Sequence, residues 1–215
     1  MKNRQTIRSR EDRRLFTAYK TGHGIWYDFN DIFCQTEIIA HKIKKISKHP
    51  IFISVGRGAW VFSRILCNFF ENKKIKYKIF TVIASYINHN TSKERPILEQ
   101  GLDNLSSVSI KELMKNGGEI WILDTPYITG RTALFVKKYI DRKFNTDSRI
   151  ATLHFVDFKG ARDFPWREKA IIQPNVYSEK ISMKETMQYI EYPWEWMNLS
   201  AYNKVYNKYR AKKHK

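Results

Sequence analysis

The residues best suited to chemistry form one run, Glu119 to Thr132, EIWILDTPYITGRT. Its apolar start, Glu119 to Leu123, is bounded by Gly117-Gly118 and Pro126 and suits a buried strand of a parallel sheet. Asp124 follows at the carboxyl end of that strand, where open α/β sheets bind ligands. Thr129, Gly130, Arg131 and Thr132 then lead into a segment with apolar side chains at Phe135, Val136, Tyr139 and Ile140, one face of a helix. A glycine in the turn lets the backbone approach an anion, the first free N–H groups of the helix point at it, and two threonine hydroxyls can donate to it. The run reads as a phosphate cradle, although a polar turn that only joins strand to helix has the same composition.

Similar units must position it. Ile51 to Val55 form a second apolar strand, followed by Gly56, Arg57 and Gly58 and a helix carrying Trp60, Val61, Ile65, Leu66 and Phe69. Arg57 offers a planar, permanently charged fork to a phosphate, while a Gly-Arg-Gly turn by itself is also an ordinary surface turn. A third strand spans Lys76 to Ala84, with Tyr77, Ile79, Thr81 and Ile83 on one face and Phe80 and Val82 on the other. It ends in Ser85-Tyr86, and a polar stretch runs on to about residue 107, a length that suits a lid and equally a disordered surface loop. Upstream, Asp28 or Asn30 caps a helix whose core stripe is Ile32, Phe33, Ile39, Ile43 and Ile46, with Lys42, Lys44 and Lys45 toward solvent. Ser109-x-x-Glu112 reads as a capping box for a short helix that stops at Gly117-Gly118. Ile150 to Val156 form a further strand. Strands alternating with helices predict an α/β fold, a mainly parallel sheet with helices on both faces. From Asp157 the helical period disappears, and the aromatic, proline-rich pieces up to residue 197 read as a small irregular subdomain over the strand ends.

ILDTPYITGRT resembles the ribose-phosphate loop of the type I phosphoribosyltransferases, in which an apolar strand, two acids and three residues precede Thr-Gly-x-Thr. The resemblance implies that Thr129, Gly130, Arg131 and Thr132 hold the 5-phosphate of phosphoribosyl pyrophosphate (PRPP), and that Asp124 and the residue at the second acid position, Thr125, face the ribose. Ile128 stands where the 6-oxopurine enzymes carry an aspartate often assigned as general base. ISVGRGAWVFSRIL is similar to the pyrophosphate loop of the xanthine-guanine phosphoribosyltransferases, which places Gly56, Arg57 and Gly58 on the pyrophosphate. Ser85 and Tyr86 match the opening of that family's flexible loop. The Ala-Thr-Leu strand, Pro174 to Tyr177 and Tyr189 to Glu195 resemble its base-binding hood, with Tyr189 at the position of the base-stacking tryptophan and Ile190 beside it. Val156 and Asp157 stand where the family has a lysine for the purine 6-oxo group; Asp157 would accept rather than donate, and Lys159 reaches the site only in a shifted register.

The resemblance implies a type I phosphoribosyltransferase fold with a small C-terminal hood and the transfer of a phosphoribosyl group from PRPP to a purine-type base, with release of pyrophosphate. Mg²⁺ is the implied cofactor, bound mainly through the pyrophosphate and touching Asp124 only indirectly. The expected layout is a basic arm over residues 1–22, a core over 23–156 with a flexible loop at about 86–107, a hood over 157–197 and a basic C-terminal helix or tail over 198–215. A homo-oligomer is expected.

The 215 residues, 42% of them hydrophobic, suffice for one sizeable core. No run of about 18 apolar residues occurs, so no membrane span is expected. Cys34 and Cys67 match no metal-ligand spacing and suit reduced thiols in a cytoplasmic protein. Of the net charge of +18, eleven charges lie in the two ends: seven basic against two acidic residues over 1–20, and six basic with no acid over 201–215. Such ends attract RNA or DNA by counterion release, or are simply solvated tails. Tyr202, Val205, Tyr206 and Tyr209 form an apolar stripe that docks on the core or on a second subunit. The alternative reading is therefore a catalytically weakened PRPP- or nucleotide-binding regulator that holds nucleic acid through its basic ends.

Overall fold

The computed structural model describes residues 24–56, 58–85, 97–101, 107–158, 172–183 and 189–195, with single helical positions at 207 and 211. Contacts divide the chain into two compact units, residues 32–184 and residues 1–31 together with 185–215.

The larger unit is built on a six-stranded sheet. Its strands are β2 (His49–Val55), β3 (Lys78–Ser85), β4 (Ile97–Gln100), β5 (Gly118–Asp124), β6 (Arg149–Phe158) and β7 (Val176–Met183), in the spatial order β4-β3-β2-β5-β6-β7. All neighbours are parallel except the edge pair β3 and β4. The helices are α1 (Phe29–Ile46), α2 (Gly58–Asn72), α3 (Ser107–Lys115) and α4 (Arg131–Phe144). Side chains alternate across each strand. Ile51, Ile53, Val55, Ile120 and Ile122 therefore share one core with Ile110 of α3 and Ala133, Val136, Ile140 and Phe144 of α4. On the other face Phe52 meets Phe70 of α2 edge-on at 5.3 Å, and the Ser63 hydroxyl donates to Ser54 at 2.8 Å. The sheet is covered on both sides, which is why its strands read as unbroken apolar runs rather than alternating ones.

Several local expectations change. Ile32, Ile39 and Ile43 are buried on α1, but Phe33 and Ile46 are exposed, because the burying stripe is narrower than the apolar positions available. α3 begins at Ser107, which puts Ser109 inside the first turn rather than at its cap. Beyond Asp157 the chain is not irregular throughout: Val176–Met183 pairs along β6 from Ala151 to Phe158 as a sixth strand. Its sequence, VYSEKISM, keeps no strict alternation: Val176 and Ile181 are buried while Glu179, Lys180 and Ser182 are exposed, so pairing with β6 rather than periodicity makes it a strand.

In the smaller unit β1 (Gly24–Trp26) lies parallel to β8 (Tyr189–Glu191), with Ile25 opposite Ile190. Tyr192 stacks on Trp194 with ring centroids 4.6 Å apart and on Tyr27 at 6.3 Å. Asp28 and Asp31 exchange hydrogen bonds, each backbone N–H donating to the other's carboxylate at 2.8 to 2.9 Å, which caps the start of α1. Among the described residues no helix is long and apolar enough to cross a membrane. The basic arm, most of the expected 86–107 loop and nearly all of the basic C-terminal segment lie outside the described residues.

Candidate functional site

From β2 the chain steps to β3 on one side and, later, to β5 on the other, so the strand order reverses between β2 and β5. Crevices at such reversals, outside the carboxyl ends of the strands, are where open α/β sheets take ligands. Register puts Val55 opposite Val82 and Ser54 opposite Leu123, so the strand ends at Gly56, Ser85 and Asp124 lie along one edge.

The two loops flanking the reversal touch. Gly56 has φ +61°, open to glycine at little cost, and its N–H donates to Val82 O at 2.7 Å. Gly58 opens α2 so close to the β5 loop that a Cβ there would stand 2.8 Å from the Thr125 carbonyl. A side chain at 58 would push the loops apart. Arg57, between these glycines, lies outside the described residues, as do Tyr86, Lys159 and the side chains of Ser85 and Tyr189.

Asp124 is half-buried at the end of β5 and accepts the Thr125 N–H at 2.9 Å. Burial pushes its carboxyl up to about 7, with that hydrogen bond pulling the other way. Thr125, at the position of the missing second acid, is buried and followed by a cis peptide to Pro126. Tyr127 then pairs with β6: its N–H donates to His154 O and its carbonyl accepts from Val156 N–H, both at 2.9 Å. The Tyr127 ring is fully buried against Phe155, and its hydroxyl donates to Ile172 O at 2.7 Å. Burial and, secondarily, the Asp124 charge push that hydroxyl up to about 12.

Ile128 is exposed where the resemblance would place a general base. Thr129 accepts the Arg131 N–H at 3.3 Å, and Gly130, at φ +69°, stands at the cap position of α4 with no side chain capping the helix. The first bond within the helix runs from Leu134 N–H to Gly130 O at 2.8 Å. Of the N–H groups ahead of it, that of Arg131 is taken by the Thr129 hydroxyl, while those of Thr132 and Ala133 have no acceptor within the helix, the arrangement that suits an anion. A Cβ on Gly130 would overlap the Tyr127 hydroxyl. Tyr127 therefore fills the underside of the turn, a role the sequence does not announce, since a lone tyrosine between Pro126 and Ile128 follows no period.

Two further candidates lie among the described residues. Asp157, on β6, is ion-paired to Lys180 at 2.9 Å, a contact the sequence reading did not foresee. Ile190 is buried in β8 of the smaller unit. Among the described residues no three His, Cys, Asp or Glu side chains gather as a metal cage. The donor chemistry at the edge, a lone Asp124 carboxyl, suits a hydrated divalent cation carried in on a ligand's own phosphates.

No family model matches the chain, and no curated protein matches it. Solved structures do. A hypothetical protein from Neisseria gonorrhoeae with bound ppGpp superposes with a TM-score of 0.59 at 19% identity, over 86% of this chain and 97% of that one. Purine phosphoribosyltransferase from Pyrococcus horikoshii gives 0.55 at 15% identity, over 82% and 96%. A hypoxanthine phosphoribosyltransferase from Trypanosoma cruzi, complexed with the product IMP, gives 0.50 at 16% identity, over 73% and 75%. At such identities the likeness speaks for architecture, and together with the reversal between β2 and β5 it establishes that this chain adopts the type I phosphoribosyltransferase fold.

Proposed function

We propose that the chain transfers the phosphoribosyl group of PRPP to a purine-type nucleobase with release of pyrophosphate. The observation that carries this reading is the β5–α4 turn, where a carboxyl, two threonines and the uncapped start of a helix follow one strand end. In this reading Thr129, Gly130, Arg131 and Thr132 hold the 5-phosphate, and Asp124, assisted by Thr125, orients the ribose hydroxyls. Gly56, Arg57 and Gly58 take the pyrophosphate, and Ser85 and Tyr86 close over it. The bond from ribose C1 to the pyrophosphate oxygen breaks as a bond to a base nitrogen forms, and the base gives up a proton. Such a reaction asks mainly for a held ribose, a neutralised leaving group and excluded water. When bound with PRPP, Mg²⁺ would add positive charge at the leaving pyrophosphate, and Asp124 would act on it only indirectly, through PRPP. Asp157, Lys159, Tyr189 and Ile190 are the residues proposed for the base, and Tyr189 offers a flat π-face for stacking.

A second reading, a nucleotide-binding regulator, is favoured by Thr125 and Ile128 at the two departures from the family pattern and by the ppGpp bound to the Neisseria protein. Calorimetric titration with PRPP and Mg²⁺, followed by adenine, guanine, hypoxanthine and xanthine, separates the two. Turnover heat with one base is the expected result. PRPP binding with no turnover for any base selects the regulator, and no binding removes the cradle assignment. Gly130→Val should weaken PRPP binding at least tenfold, since it strains φ and meets Tyr127. Thr132→Val, which leaves the backbone alone, should weaken it by a smaller factor while the melting temperature stays put.

A further inference from the structure

The edge opposite the strand reversal, at the amino ends of β3, β2 and β5, is strongly positive. Lys44 and Lys45 end α1, and Lys115 ends α3. Lys73, Lys74, Lys76 and Lys78 line the passage from α2 into β3. All seven are exposed, and none is in an ion pair among the described residues. The acids on the same helices and at the start of β5 are Asp31, Glu37, Glu71, Glu112 and Glu119; Glu71 is engaged by Arg64 and the Tyr77 hydroxyl, Glu119 by Arg149, and Asp31 lies at the far end of α1. Lysines commonly close helices, where they offset the carbonyl dipoles. Three helix ends supply only about −0.5 charge each, too little to balance this face, and Lys76 and Lys78 belong to no helix.

A cavity of about 670 Å³ opens at this edge, with Lys76 and Lys78 in its lining. Pro50, Ile51, Ile75 and Leu113 give it an apolar wall, Gly118 closes it from β5, and His49, Lys76, Tyr77, Lys78 and Asn116 supply ring and polar edges. A recess with an apolar wall and two lysines in its lining matches a nucleotide unit: base or ring inside, phosphates on the rim. Seven exposed lysines are more cations than the phosphate of one mononucleotide would use, so the charge suits a strand.

We propose that this amino-end face binds single-stranded nucleic acid, with one base in the cavity and the neighbouring phosphates on Lys73, Lys74, Lys76 and Lys78. The site is separate from the β5–α4 turn and does not rest on the transferase reading.

The test is fluorescence anisotropy of a labelled oligouridine with the full chain across a salt series. Wild-type protein should bind with a steep salt dependence. The Lys73→Gln/Lys74→Gln/Lys76→Gln/Lys78→Gln chain should bind at least tenfold more weakly, with a log–log slope shallower by about 2 to 3, from about 0.7 per lost phosphate contact. Asn116→Trp, which fills the cavity without changing charge, should weaken binding while leaving the slope intact. Uridine monophosphate should fail to displace the strand. The proposal falls if wild-type protein does not bind the oligonucleotide, or if the four-glutamine chain binds it unchanged while neutralising the basic residues of 1–20 and 201–215 abolishes binding. It also falls if uridine monophosphate displaces the strand fully, which would make a free nucleotide the occupant.

Discussion

Asp124 illustrates how one residue can be tuned by position alone. A carboxyl at a strand end, half-buried and with a single N–H donor, titrates near 7 rather than near its ordinary 3.8. A raised folded-state value means that ionisation opposes folding: the wild-type chain loses stability as pH rises from about 4 to 7, and the loss is complete above 7. His154 runs the other way over an overlapping range. Burial holds its imidazole down to about 3, so stability present above 6.5 is lost as pH falls toward 3. The wild-type profile therefore mixes the two, and the difference between Asp124→Asn and wild type isolates the first. The variant should melt higher at pH 8, with the gain shrinking as pH falls and gone near pH 4. If Asp124 meets the ribose as an ionised carboxylate, PRPP affinity should also rise from pH 6 to 8 in wild type and lose that dependence in the variant. A flat wild-type binding profile over that range would remove Asp124 from the contact.

At the scale of elements, α4 carries the proposed cradle at its start and is fastened at its end. Lys137 donates to Asp141 at 2.7 Å, to Asp147 at 2.6 Å and to the Ser148 carbonyl, while Ser148 donates from N–H and hydroxyl to Asp141 at 2.8 and 2.6 Å. Lys137 is only 14% exposed, so these are not freely solvated surface pairs, although Asp147 is almost fully exposed and contributes little. Lys137→Met keeps the stem and removes the charge. Denaturant unfolding should show a loss of about 1 to 3 kcal/mol, and PRPP binding should hold, because the fastening lies at the far end of the helix from Gly130. Tyr127 fastens the other end of the unit, tying the turn to β6 through its backbone and to residue 172 through its hydroxyl. The turn is therefore shaped by protein contacts before any ligand arrives, which is the preorganisation anion binding benefits from.

For the whole molecule the deciding quantity is charge. Removing residues 1–20 and 201–215 takes away eleven of the eighteen net charges. If the ends serve only polyanions, the shortened chain should bind PRPP within about twofold of the full chain while its oligonucleotide salt slope becomes shallower, each lost phosphate contact lowering it by about 0.7. A residual, salt-dependent affinity should remain from the amino-end lysines. Collapse of PRPP binding on trimming would instead tie the ends to the transferase site.

Periodicity was enough to read the strand at Glu119 to Leu123, the helix after Gly130 and the parallel, doubly covered sheet, because a strand buried on both faces and a helix buried on one leave different apolar spacings in the chain. The residues of the proposed cradle can be named for the same local reason: Asp124 and Thr129 to Thr132 lie within one strand-turn-helix unit. Val176–Met183 was passed over because its apolar residues, Val176, Tyr177, Ile181 and Met183, keep no two-residue period, and only pairing with β6 makes it a strand. Tyr127 beneath Gly130, the close approach of Gly58 to Thr125, the Asp157–Lys180 pair and the cavity that joins Lys76 and Lys78 to Leu113, Asn116 and Gly118 were decided by tertiary structure. Each joins residues distant in sequence, or sets a side chain's direction by packing, and neither leaves a spacing in the chain to be read.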